Sequence, residues 1–145
     1  MEYSVGKVGR VIAARLFEGE DVQASIEQIA RQENIRSAAV LITGGFRQAN
    51  VVVGPQREQP TVEPRFHRFD GPGEVLGVGT LYPDDAGPKL HLHTAIGKGG
   101  KNLVGCTRDG TRTFLILEVT IIETAGIEGK RTFDPKTELN LLRLR

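Results

Sequence analysis

Only one stretch of this chain repeats its apolar residues with the period of a helix. Val22, Ile26, Ile29 and Ala30 fall on one stripe. Asp21 stands ahead of them as an N-cap whose carboxylate can accept the free amides of the first turn. Asn34 is suited to end the segment in a left-handed conformation. Glu27 and Arg31, four apart, are expected on the exposed side. The pattern predicts one principal helix over about residues 21–34. The rest reads as strands and turns, and 18 glycines favour a turn-rich β architecture over a bundle.

Strands are expected at 11–17, 38–43, 48–53, 74–82, 89–96 and 111–123, with 139–145 as a last edge strand. Gly44-Gly45 stops or bends the second, and Gly54-Pro55 closes the third. Pro83-Asp84-Asp85-Ala86-Gly87-Pro88 is a hairpin-type turn. Four prolines, at 55, 60, 64 and 72, make 54–73 read as a long connection with a short strand near 66–69. The fold class is therefore α+β, a mainly antiparallel sheet or partial barrel with one helix packed on it. At 145 residues it suits a single domain spanning 1–145.

Nineteen basic against 18 acidic residues leave a net charge of +1, so no global field draws the chain to nucleic acid. The start, Met1-Glu2-Tyr3-Ser4, is polar and acidic, without the apolar stretch of a secretory signal. The longest strongly apolar run, 114–117, is far too short to cross a membrane. A single cysteine excludes an internal disulfide framework. Together these predict a cytoplasmic chain with no membrane partner.

The most informative stretch is Leu90-His91-Leu92-His93. In a strand, side chains alternate between faces, so both histidines point one way and both leucines the other. Imidazoles so spaced can share one ion, and a third ligand must come from another segment. Cys106 stands beyond Gly97-Lys98-Gly99-Gly100-Lys101, which can turn the chain back and bring the thiol beside the histidines. Two histidines and a thiolate suit zinc, or another divalent transition metal, with a position left open to water or substrate. The plain alternative is two half-exposed histidines and a small buried cysteine.

Lys98, Lys101, Arg108 and Arg112 flank this constellation and can hold a small anionic ligand such as a carboxylate or phosphate. The glycine-lysine loop lacks the spacing, the Ser/Thr and the following helix of a nucleotide-binding loop, which excludes a nucleotidase of that type. Leu115, Leu117, Val119 and Ile121 form one apolar face, with Glu118 opposite beside Phe114 and Ile116. Near a metal Glu118 would serve as a catalytic acid or base. Elsewhere it is an edge or interface salt bridge. Gly44-Gly45 lets a backbone approach something closely, and His67 reads as a half-exposed strand residue.

These residues resemble the PPC family (plants and prokaryotes conserved), also known as the domain of unknown function 296. The resemblance runs through Gly9-Arg10-Val11-Ile12, Gly19-Glu20-Asp21, Gly44-Gly45-Phe46, Gly79-Thr80-Leu81, Leu90-His91-Leu92-His93 and Gly105-Cys106 to Phe133-Asp134-Pro135. It implies a small α+β domain that forms homotrimers. The implied architecture is similar to acetolactate decarboxylase, a zinc enzyme with an H-x-H pair and a later histidine. Many members likewise carry histidine where this chain has Cys106, a substitution that keeps a good zinc ligand. A metal-dependent lyase or hydrolase follows by analogy alone. The Arg-Gly-Arg-Pro core of the plant AT-hook is absent, so DNA binding draws little support from the residues. The second reading is a non-catalytic trimer that presents a surface to DNA or a protein.

Overall fold

The computed structural model describes residues 1–58 and 61–144. The elements run β1 (Lys7–Phe17), α1 (Val22–Gln32), β2 (Ala38–Arg57), β3 (Glu63–Asp84), β4 (Gly87–Lys98), β5 (Lys101–Ala125), β6 (Gly129–Asp134) and β7 (Leu139–Leu144). Asp21 caps α1, its side chain accepting from the Ala24 amide at 3.0 Å, and Asn34 ends the turn at φ 55°. Val22, Ile26 and Ala30 are fully buried, as their spacing predicts. Glu27 differs from expectation. Its carboxylate turns to β4, accepting from the Leu90 amide at 3.1 Å and pairing with Lys89 at 3.3 Å, rather than pairing with Arg31. The helix thereby fixes the start of β4.

All neighbouring strands are antiparallel. β2 pairs with β3, β3 with β4, β4 with the first half of β5, and β5 with β2, which closes a ring; β1 lies along the second half of β5. Side chains pointing into the ring, among them Val40, Ile42, Phe46, Val51, Leu81, Leu92 and Ile96, form one core with the buried face of α1.

The two strands expected within 38–53 are one bent strand. Gly44 has φ 141°, and a Cβ there would stand 2.5 Å from the Ile116 carbonyl oxygen. Close approach of β5 is what the glycine pair permits. β5 bulges at the same place: Gly44 pairs with Leu117 and Gly45 with Phe114, leaving Leu115 and Ile116 between them. Leu115, at φ 56°, is expelled to solvent and leaves the apolar face expected for it, while Leu117, Val119 and Ile121 stay buried.

The connection expected over 54–73 is instead the far end of the β2–β3 hairpin, with Pro55 opposite Pro64 and Arg57 opposite Glu63. Register shifts flank Pro55, and such irregular ends are where strands tolerate residues without an amide proton. Pro60 lies outside the described residues. The 83–88 turn is a hairpin, closed by Asp84 opposite Gly87. β7 does form at the tail, but it pairs with β6, which the sequence pattern did not suggest; Arg145 lies outside the described residues.

The β4–β5 hairpin is as tight a link as the β3–β4 one, with two residues in its turn. Lys98 pairs with Lys101, and the two residues between them, Gly99 and Gly100, have φ 56° and 78°. Positive φ at both central positions is the requirement of a type I′ turn, where Asn-Gly is also favoured. Gly99→Asn should therefore leave the urea midpoint unchanged or slightly raised. Gly99→Val should lower stability by about 1–2 kcal/mol, because a β-branched residue resists the left-handed region.

Candidate metal centre

The hairpin register places Cys106 directly opposite His93. On its other side His93 faces Val78, and His91 faces Thr80. The burial alternates as the sequence pattern requires: Leu90 and Leu92 are buried, His91 and His93 exposed on the opposite face. The two Nε2 atoms lie 3.1 Å apart, with ring centroids 4.9 Å apart and planes at 70°. One ligand atom from each of His91, His93 and Cys106 falls within 4.8 Å of the others. Tetrahedral zinc with bonds of about 2.0–2.3 Å holds its ligand atoms roughly 3.3–3.6 Å apart. The imidazole nitrogens, 3.1 Å apart, stand slightly inside that spacing, and the set as a whole, within 4.8 Å, is slightly wider than it. Donor type and geometry both fit.

The protonation states favour ligation at the imidazole and oppose it at the thiol. Partial burial of its ring pushes His91 down to about 4, with the positive charges of Arg131, His93 and Arg108 adding to the effect. Its imidazole is thus neutral at neutral pH, the form that binds metal. Burial pushes the Cys106 thiol up, opposed by the nearby Arg108 and Arg131. A metal would have to displace that proton. On the inner face behind the site, the buried Thr94 and Thr107 hydroxyls meet at 2.8 Å and tie β4 to β5.

The other candidate residues are dispersed. Arg108 is near enough for its charge to act on both His91 and Cys106. Lys98 donates to the Asp70 and Gly71 carbonyls at the hairpin end, at 3.2 and 3.0 Å. Lys101 is exposed beside it, and Arg112 stands 3.8 Å from Asp21. Glu118 is exposed on the far half of β5, opposite Arg15 and Thr43. His67 lies opposite Val51 on β3. The structure adds one residue that the sequence reading missed. Arg131, on β6, is 8% exposed and donates through Nη2 to Thr80 Oγ1 at 3.0 Å, beside His91. No local signal marks it, since its hydrogen-bond partner Thr80 is 51 residues away in sequence.

The Plants and Prokaryotes Conserved (PCC) domain profile matches residues 3–125. The chain belongs to that family. A metal-containing protein from Archaeoglobus fulgidus has the same fold, with a TM-score of 0.87, 25% identity and 99% of each chain covered. A plant- and prokaryote-conserved protein from Pyrococcus horikoshii follows at TM-score 0.84 and 19% identity, covering 100% of this chain and 99% of that one. The acetolactate decarboxylase of Bacillus subtilis shares the architecture more distantly, at TM-score 0.58 and 20% identity, over 77% of this chain and 51% of the enzyme. The likeness expected to that enzyme therefore holds at the level of fold. Among curated proteins, the bifunctional protein GlmU of a Synechococcus strain is 28% identical over 131 residues. That match takes in 88% of this chain, which spans about a fifth of the relative's length (19%).

Within the PCC fold, Gly105 carries the position before the thiol. A Cβ there would lie 2.3 Å from the Val52 carbonyl oxygen and 2.7 Å from Val51 Cγ1. Gly105→Ala must push β2 away from β5 beside Cys106. The expected result is a loss of about 1–3 kcal/mol in a denaturant titration, the usual scale of overpacking.

Proposed function

We propose that this PCC-domain chain binds zinc, or a similar divalent transition metal, through His91, His93 and Cys106. The observation that carries the reading is the convergence of three ligating atoms within 4.8 Å. The metal-containing Archaeoglobus relative supports it. One coordination position stays open to a small anionic ligand, with Arg108 as its nearby cation. Zinc bound in such an open site polarises a carbonyl or makes bound water acidic, which would suit a lyase or hydrolase.

The proposal includes a homotrimer in the cytoplasm. On the outer face of the ring, Leu41, Leu76, Val78 and Val104 surround His93 with exposed apolar surface; Leu76 and Val78 are 67% and 64% exposed. Apolar side chains grouped in this way favour burial against another copy. Among the described residues no helix is long and apolar enough to cross a membrane. The second reading is a DNA-binding or protein-interaction module. A neighbour from Ralstonia eutropha, at TM-score 0.72 and 22% identity, bears a provisional DNA-binding designation. The near-balance of 19 basic and 18 acidic residues gives that reading less physical support.

Elemental analysis of untagged protein tests the leading reading. About one zinc per chain is expected, weakened in Cys106→Ser and lost in the His91→Ala/His93→Ala double variant, which should still sediment as three chains. Stoichiometric zinc retained in the double variant would rule this site out.

A further inference from the structure

The β6–β7 hairpin lies beyond the matched family segment and packs on β3, where Arg131 bonds Thr80. Between the hairpin and the start of β4 is a cavity of about 590 Å³ lined in part by His91. Its size suits a small organic molecule. Two of its lining side chains are buried and polar: Arg131, 8% exposed, and Gln23, 5% exposed. Each has a buried atom without a hydrogen-bond partner among the described residues, Arg131 Nε and Gln23 Oε1. Among the described residues no carboxylate pairs with Arg131; its one side-chain bond is to the Thr80 hydroxyl. A buried guanidinium short of hydrogen bonds and lacking a counter-ion is costly, and a ligand supplying both removes the cost.

The remaining walls narrow the ligand class. Arg108 adds a second guanidinium, while Leu139, Leu141 and Leu142 of β7 supply an apolar side. Among the described residues none of the acidic lining residues forms an ion pair with Arg131, although the charge of Asp84 acts on it from a distance. Asp109 is largely exposed and 4.0 Å from Lys89, Glu138 is exposed, and Asp84 is half-buried without a salt bridge to Arg131 among the described residues.

We infer that this cavity is a carboxylate subsite: the Arg131 fork takes the carboxylate of a small, partly apolar organic acid, and the Gln23 amide bonds a second polar group. Arg108 helps to hold the charge, and β7 covers the hydrocarbon part. The inference builds on the metal reading, because the cavity brings such an acid alongside His91, yet the anion anchor itself needs no metal. It extends the site past the flanking lysines considered from sequence, to a residue outside the matched family segment.

Calorimetric titration tests it with acetate, isovalerate, 2-oxo-4-methylpentanoate and the methyl ester of the last, each on zinc-loaded and on zinc-free protein, with zinc content measured throughout. At least one of the branched acids should bind saturably, better than acetate, and the uncharged ester should not. Arg131→Gln should weaken binding roughly tenfold or more, the scale of a lost charge-assisted pair, without changing zinc content. Arg131→Lys, which keeps the charge but not the fork, should fall between. If Arg131→Gln does not fold, Arg131→Lys and Gln23→Leu carry the test. Absence of saturable binding by all three acids at millimolar concentration overturns the subsite, as does equal binding by the ester or by folded Arg131 variants. Carboxylate binding that depends on Arg131 in protein unable to hold zinc upholds the subsite and refutes the metal reading alone.

Discussion

A two-residue turn governs the chemistry of this molecule. Gly99 and Gly100 both adopt positive φ, which lets β4 reverse into β5 with nothing between Lys98 and Lys101 but the turn itself. Every step back along β4 is then matched by a step forward along β5, so His93 meets Cys106. Because side chains alternate, a slip of one residue would send the thiol to the inner face, away from the histidines. Ring closure through β2 and β3 resists such a slip, since β5 is held by β2 as well as by β4.

The same closure divides the sheet into two environments. The inner face, together with α1, takes up the core, and the outer face keeps the histidines among exposed apolar side chains. Around His91 the charged groups that matter are arginines rather than lysines. Arg108 and Arg131 both raise the local positive potential, and both favour the neutral imidazole. A positively charged setting favours anions, which links the proposed metal site to the proposed carboxylate subsite.

Much of this was legible from the sequence where the signal is local. The stripe of Val22, Ile26 and Ala30, the cap at Asp21 and the alternation through Leu90-His91-Leu92-His93 depend only on residues a few positions apart. The glycine turn belongs to the same class and carried the thiol to its place. Tertiary context set the rest. Prolines 55 and 64 suggested a loop, yet they face each other across an irregular hairpin end. Leu115 followed the apolar alternation but was expelled by the bulge that Gly44 imposes. Arg131 had no signal because its role arises from contact with Thr80, 51 residues away. Lys98 and Arg112 were credible on sequence proximity and are engaged with other groups in the fold.

Cobalt(II) substitution followed by absorption spectroscopy tests the central claim most directly, that two imidazoles and a thiolate converge on one ion. The account predicts intense visible bands of a tetrahedral centre and a near-ultraviolet thiolate-to-cobalt band, saturating at about one cobalt per chain. The near-ultraviolet band should vanish in Cys106→Ser. Only the faint spectrum of solvated, octahedral cobalt, unchanged by Cys106→Ser, would contradict it.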